Sequence, residues 1–202
     1  MPDHYDRAVI RRATVDDTDT VTSVVTAAWL ALPHSTWLVD SNPLRSRIFA
    51  SNAAMWIEHA RIFGQVDIAE DGVVVAVAVW FDRTHRATFI PDDYKSRLSI
   101  DCDIYAERFA YLDGFTDGLQ PRFPHHHLLV LAITAQGSRG LMSALLRRHH
   151  EYLDGVGVAS VVRVYSPDQV TFFEQQSYRC IGRHSLGESG PMLWIMHRLP
   201  LV

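Results

Sequence analysis

"HHHLLVLAITAQGSRGLMSALL" (residues 125–146) begins as a buried strand, passes through a turn with two glycines and ends as an amphipathic helix. The apolar run 127–133 is bounded by turn residues and is too short to cross a membrane, so it predicts an internal strand. Gly137 and Gly140 flank Ser138 and Arg139. Apolar residues then resume at helical spacing, predicting a helix over 140–154 with Gly155 as its stop. Strand, glycine turn and helix N-terminus together aim free backbone N–H groups and a helix dipole outward. That combination can cradle an anion such as a phosphate.

Working outward, residues 8–13 read as a first strand, with Thr14 as the N-cap of a helix. Asp16 and Asp17 occupy its first turn, where the dipole favours carboxylates. Val21, Val24, Val25, Ala28 and Trp29 recur at helical spacing before Pro33. A second helix is predicted over 43–60, with Ile48, Ala54 and Met55 inward. Residues 65–81 read as two strands joined at Asp71 and Gly72, a dipeptide that favours tight hairpins. Further on come a helix over 104–119, a strand over 160–165, and a short helix over 167–176 that opens on proline. A final hairpin pairs 179–186 with 192–199 about "GESG". Residues 83–103 form a polar, irregular stretch, a candidate lid. This order predicts an α/β protein of α+β type, with helices covering a largely antiparallel sheet in one domain, 1–202.

Of 202 residues, 48% are hydrophobic and 21% charged, enough apolar material for a substantial core. A formal charge of -4 provides no basic field for nucleic acid or an acidic membrane. Two cysteines, Cys102 and Cys180, are too few for a disulfide scaffold. No apolar run approaches a membrane span, and the polar start has no signal-peptide character. A soluble, cytoplasmic protein is the expectation.

The order of elements, nearly end to end, resembles that of the GCN5-related N-acetyltransferases. "IRRATVDD" looks like their opening and "DIAEDGVVVAVAVW" like their second and third strands. The stretch 125–146 resembles the strand, turn and helix that bind acetyl-CoA. "YSPDQVTFFEQQSYRCIGRHSLGESGPMLWIMHRLP" is similar to the ending of actinobacterial members that resemble puromycin N-acetyltransferase. The resemblance implies a mixed, mostly antiparallel sheet whose fourth and fifth strands splay apart, with pantetheine in the gap. It also implies transfer of an acyl group from acetyl-CoA or another acyl-CoA to an amine of a small molecule, by direct attack in a ternary complex. A carrier-protein phosphopantetheine is a variant donor, which would make an acyl carrier protein a partner. The protein would be a monomer or homodimer. A catalytically silent acyl-CoA or small-ligand binding protein is the alternative.

Carried over residue by residue, the donor site comprises Leu131, Ala132 and Ile133 on the strand. It continues through Gly137, Ser138, Arg139, Gly140, Leu141, Met142 and Ser143 in the turn and helix start, with Gln169 and Phe172 on the later helix. Met142 stands where the family has glycine or alanine, and Phe173 stands where a tyrosine commonly protonates the thiolate. Among the histidines, strand alternation puts His125 and His127 on one face and His126 on the other. His126, or its neighbour His125, is the candidate base or water relay for the substrate amine, and His127 a candidate acceptor contact. No carboxylate or cysteine set accompanies them, so no metal site is expected. Trp37 and Asp40, in the loop region after Pro33, are the candidates for an aromatic wall and an ammonium contact. His149, His150 and Glu151 read as an exposed helix face.

Overall fold

The computed structural model describes residues 8–85 and 93–201. A seven-stranded sheet runs in the order β1-β2-β3-β4-β5-β7-β6, formed by β1 (Val9–Arg12), β2 (Gly64–Asp71), β3 (Val73–Arg83), β4 (His125–Ile133), β5 (Ala159–Val164), β6 (Arg179–Ser185) and β7 (Met192–Arg198). Every neighbouring pair is antiparallel except β4 and β5, which are parallel. The mixed α/β architecture matches the fold expected from the sequence.

One face of the sheet is covered by α1 (Thr18–Leu30) and α3 (Asn42–Phe63). Val21, Val25, Ala53 and Ile57 pack there on Ile68, Val77 and Val79. The other face carries α6 (Arg139–Val156) and α7 (Pro167–Gln175), with Leu145 and Leu146 against Trp80 and Leu128. A third cluster lies beneath α2 (His34–Leu38), α4 (Tyr94–Cys102) and α5 (Ala106–Gly118), where Phe49 and Phe109 meet edge to face. No helix among the described residues is long and apolar enough to cross a membrane.

Three expectations need correction. The stretch 83–103 is not wholly irregular: α4 occupies its second half, with Tyr94, Leu98 and Cys102 buried at helical spacing. Residues 86–92 of that candidate lid lie outside the described residues. The helix beginning at Arg139 runs past Gly155, which stays helical, and stops at Gly157, whose φ of 69° is the left-handed conformation that ends helices. Finally, His149 and His150 are buried, not exposed. His149 stacks on Trp80 at 4.0 Å between ring centres, and His150 Nε2 lies 3.0 Å from the Tyr178 hydroxyl.

Candidate active site

Strands β4 and β5 stay in register only from His125 opposite Ala159 to Leu128 opposite Val162. Beyond that point β4 continues its ladder with β3 as far as Ile133, opposite Ala76. Among the described residues, its other edge therefore has no partner strand along 129–133. A bulge at Leu129, where Val130 pairs with Val79 but Leu128 with Trp80, sharpens the divergence. It also resets the alternation of faces: Val130 and Ala132 pack toward α1 and α3, whereas Leu128 and Leu131 pack toward α6 and α7. A cavity of about 350 Å³ opens in the gap.

One half of this cavity is lined by Leu131, Ile133, Arg139, Met142, Gln169, Phe172 and Phe173. The turn before α6 is held by backbone contacts: Thr134 N–H donates to Val75 O at 3.0 Å and Gly137 N–H to Thr134 O at 3.0 Å. A Cβ on Gly137 would lie 2.4 Å from Val75 O, so this glycine permits the turn to pack against β3. Ser138 is the N-cap, its hydroxyl accepting from Leu141 N–H at 3.3 Å. The N–H groups of Arg139 and Gly140 belong to the first turn, where no helix carbonyl can accept them. Around Gly140 there is room, because an added Cβ would meet only Ser138 Oγ, at 3.5 Å.

Of the other residues expected on this side, Leu141 and Ala132 bury their side chains, and half-buried Ser143 is not among the lining residues. Met142 does two things at once, packing on the core and lining the cavity. Gln169 Oε1 accepts from Tyr165 N–H at 2.8 Å, tying α7 to the end of β5. Phe173 packs edge to face on Phe172 and Tyr178.

The opposite half is lined by Trp29, Phe49, Trp56, Phe81 and Phe109, with polar groups among them. Asp113, on α5, accepts a hydrogen bond from the Tyr94 hydroxyl at Oδ2. Burial pushes its carboxyl up to about 7, against the opposing charge of Arg163. Arg163, on β5, donates through Nε to His127 Nε2 at 3.1 Å. This bond places the His127 proton on Nδ1, which is buried and has no partner among the described residues. Burial first, and Arg163 second, hold His127 well below its ordinary value and bring His34 down to about 3, so both rings are neutral. His34 lies 4.1 Å from the Tyr165 ring. Burial also raises the Tyr165 phenol, which keeps its proton at neutral pH. Arg83 pairs with Asp117 at 3.2 Å.

His126 does not line this cavity. The strand turns it toward α6, where Nδ1 lies 3.1 Å from His149 Nε2 and Nε2 lies 3.7 Å from Asp82 Oδ1. His125 is likewise elsewhere, bonded to Phe123 O and Gln120 Oε1. Trp37 lies in a separate shallow pocket with Arg108 and Tyr111. Asp40 is already engaged by the Tyr105 hydroxyl at 2.7 Å and by Arg108 at 3.4 Å. The four residues were expected to meet the amine; of the histidine triplet only His127 reaches the cavity. Sequence reading missed Asp113, Arg163, Tyr165 and His34. For Asp113 a signal existed, since it shares the inward face of α5 with Phe109, Leu112 and Thr116.

A mostly antiparallel sheet with one opened parallel pair, followed by a turn that caps the next helix, is the fold of the GCN5-related N-acetyltransferases. Solved structures agree. The chain is similar to the histone acetyltransferase HPA2 and related acetyltransferase of Corynebacterium glutamicum, with TM-score 0.71, 20% identity, and 97% and 98% of the two chains covered. It is similar to mosquito arylalkylamine N-acetyltransferase like 5b, with TM-score 0.61, 17% identity, and 95% and 99% covered. A proposed acetyltransferase of the GNAT family from Desulfovibrio desulfuricans gives TM-score 0.56, 15% identity, and 95% and 98% covered. No protein-family model and no curated protein sequence matches the chain.

Proposed function

We propose that the protein is an N-acyltransferase, moving an acyl group from a CoA thioester to the amine of a small molecule within the cavity between β4 and β5. The observation that carries this reading is a half-buried carboxyl, Asp113, opening into the same cavity as the unpaired edge of β4. The similar proteins support it, one of them being an arylalkylamine N-acetyltransferase by name.

The residues present suit acyl-CoA. An edge strand offers N–H and C=O groups in register, as an extended arm with amides requires. The Arg139 and Gly140 N–H groups and the Arg139 side chain offer donors to phosphate oxygens, and the open approach at Gly140 suits a diphosphate. This space favours CoA over the single phosphate of a carrier-bound arm. When bound, acyl-CoA supplies the activated acyl carbon and a thiol leaving group.

The chain's own side chains then handle protons. An incoming ammonium is held by the Asp113 carboxylate and gives it one proton, so that a neutral amine remains. Tyr94 fixes Asp113 through Oδ2. Tyr165 Oη holds a proton that can be given up as the acyl bond breaks, in a cavity where Phe173 has none to give. Positioning supplies the rest, an effect that reaches about 7–11 kcal/mol in well-oriented systems.

The test is release of free thiol from acetyl-CoA and longer acyl-CoAs against a panel of small amines, with calorimetry of CoA binding. Amine-dependent thiol release is expected. CoA binding without release for any amine would identify a silent binder. Absence of CoA binding would remove the donor site.

A further inference from the structure

We propose that the acceptor is a zwitterion, an amino acid or a close relative with an apolar or aromatic body, and that Arg163 sets this specificity by binding its anionic group while Asp113 takes its amine. The inference rests on the acyl-transfer reading and names the acceptor class for it.

Besides Arg139 on the donor side, the cavity holds two guanidinium groups, Arg83 and Arg163, in different circumstances. Arg83 is matched by Asp117 at 3.2 Å. Arg163 forms no ion pair among the described residues, and its one hydrogen bond goes from Nε to a neutral imidazole. A guanidinium cannot shed its charge near neutral pH, so Arg163 stands in the cavity as a cation without a counter-ion among the described residues. The terminal nitrogens of the fork are the donors that match a carboxylate bidentately.

Asp113 faces the same cavity and senses Arg163 electrostatically, yet the two do not pair. Each charge is therefore left without the partner that low-dielectric surroundings demand. A simple amine would answer Asp113 and leave Arg163 unmatched; a simple acid would do the reverse. A ligand with both charges a few atoms apart answers both. The cavity walls include Trp29 and Phe49, 6.5 Å apart edge to face, and Trp56 and Phe81, 5.8 Å apart. Such walls suit a ligand body that is apolar and preferably aromatic. A cavity of about 350 Å³ that must also admit a thioester has room for one such unit, not for a polymer.

The reaction balances as follows. The ammonium gives one proton to the Asp113 carboxylate, and the freed lone pair forms the nitrogen–acyl bond. The carbon–sulfur bond breaks with its electron pair on sulfur. Tyr165 gives that sulfur its proton and takes the second nitrogen proton in return, leaving an N-acyl amino acid and free thiol.

The experiment compares matched pairs on the intact protein with acetyl-CoA: L-phenylalanine against 2-phenylethylamine, and L-tryptophan against tryptamine. Thiol release and product mass are read, and each acceptor's binding is measured separately by calorimetry without donor. The expected wild-type result is a kcat/KM at least about tenfold higher for the amino acid of each pair, the scale of one charge-assisted contact. R163Q should bring that ratio to within about twofold of one, and R163K should restore part of it. Equal or faster use of the decarboxylated amines by the wild type overturns the proposal without any variant. Acyl transfer to amines with no preference for the anion sinks this inference and leaves the acyltransferase reading intact. Binding of the amino acids that depends on Arg163, with no thiol release, does the opposite.

Discussion

The two halves of the cavity are built from different materials. On the donor side the useful groups are backbone: an unpaired strand edge, two N–H groups at the start of α6 and room at Gly140. On the acceptor side they are side chains, drawn from Trp29 on α1, His34 on α2, Trp56 on α3, Asp113 on α5, Phe81 on β3, His127 on β4 and Arg163 on β5. A backbone site needs only a contiguous stretch with the correct local conformation. A side-chain site needs the whole fold to bring distant residues together. The first can persist while sequence drifts, whereas the second can change with single substitutions, which is how one fold serves many acceptors.

The largest effect that would break this contrast belongs to Asp113. Asp113→Asn keeps a carbonyl oxygen for Tyr94 but removes the proton acceptor, and turnover should fall by about 10²–10⁴-fold. In the wild type, kcat/KM for an amine should rise as pH passes through about 7, where the carboxylate forms, and the variant should lack that inflection. Stability should move the other way. A carboxyl raised from 3.8 to about 7 binds more protons folded than unfolded, so the folded state loses stability as pH rises between those values. At pH 8, thermal melts should show Asp113→Asn to be the more stable form, by on the order of 1–3 kcal/mol.

Two glycines separate a packing role from a ligand role on the donor side. Gly137→Ala forces a Cβ against Val75 O, a backbone atom that cannot swing aside. It should cost about 1–3 kcal/mol in denaturant unfolding. Gly140→Ala meets nothing but a hydroxyl, and should leave the fold unchanged or slightly firmer. Its effect should appear instead in calorimetry, as CoA affinity lower by about tenfold. If both variants lose stability alike and neither changes CoA affinity, the donor side is not the backbone cradle described here.

The smallest effect is expected at His126. Because it faces α6, His126→Gln should keep kcat/KM within about twofold in the thiol-release assay. A loss comparable with that of Asp113→Asn would return the catalytic base to the α6 face.

Much of the architecture was legible because it is written in local periodicity: the hairpin at Asp71 and Gly72, the strand before the glycine turn, and the final hairpin all formed. The misreadings arose where a polar residue occupies an apolar position. His149 stands in the stripe Leu141, Leu145, Leu153, and His150 one turn after Leu146, so spacing pointed inward while polarity pointed outward. Asp113 was hidden in the same way on α5. The bulge at Leu129 left no trace, since the run 128–133 is apolar in either register. His127 shares the cavity face with Arg163 only after β4 and β5 are aligned, a relation between strands that local sequence does not encode.

The central claim is that thioester and amine meet in the gap between β4 and β5. A crystal structure with CoA bound tests it most directly. The account predicts an extended pantetheine arm hydrogen-bonded along 129–133, with its sulfur in the cavity that Asp113 lines. CoA bound anywhere else, or a gap left empty at saturating CoA, would contradict it.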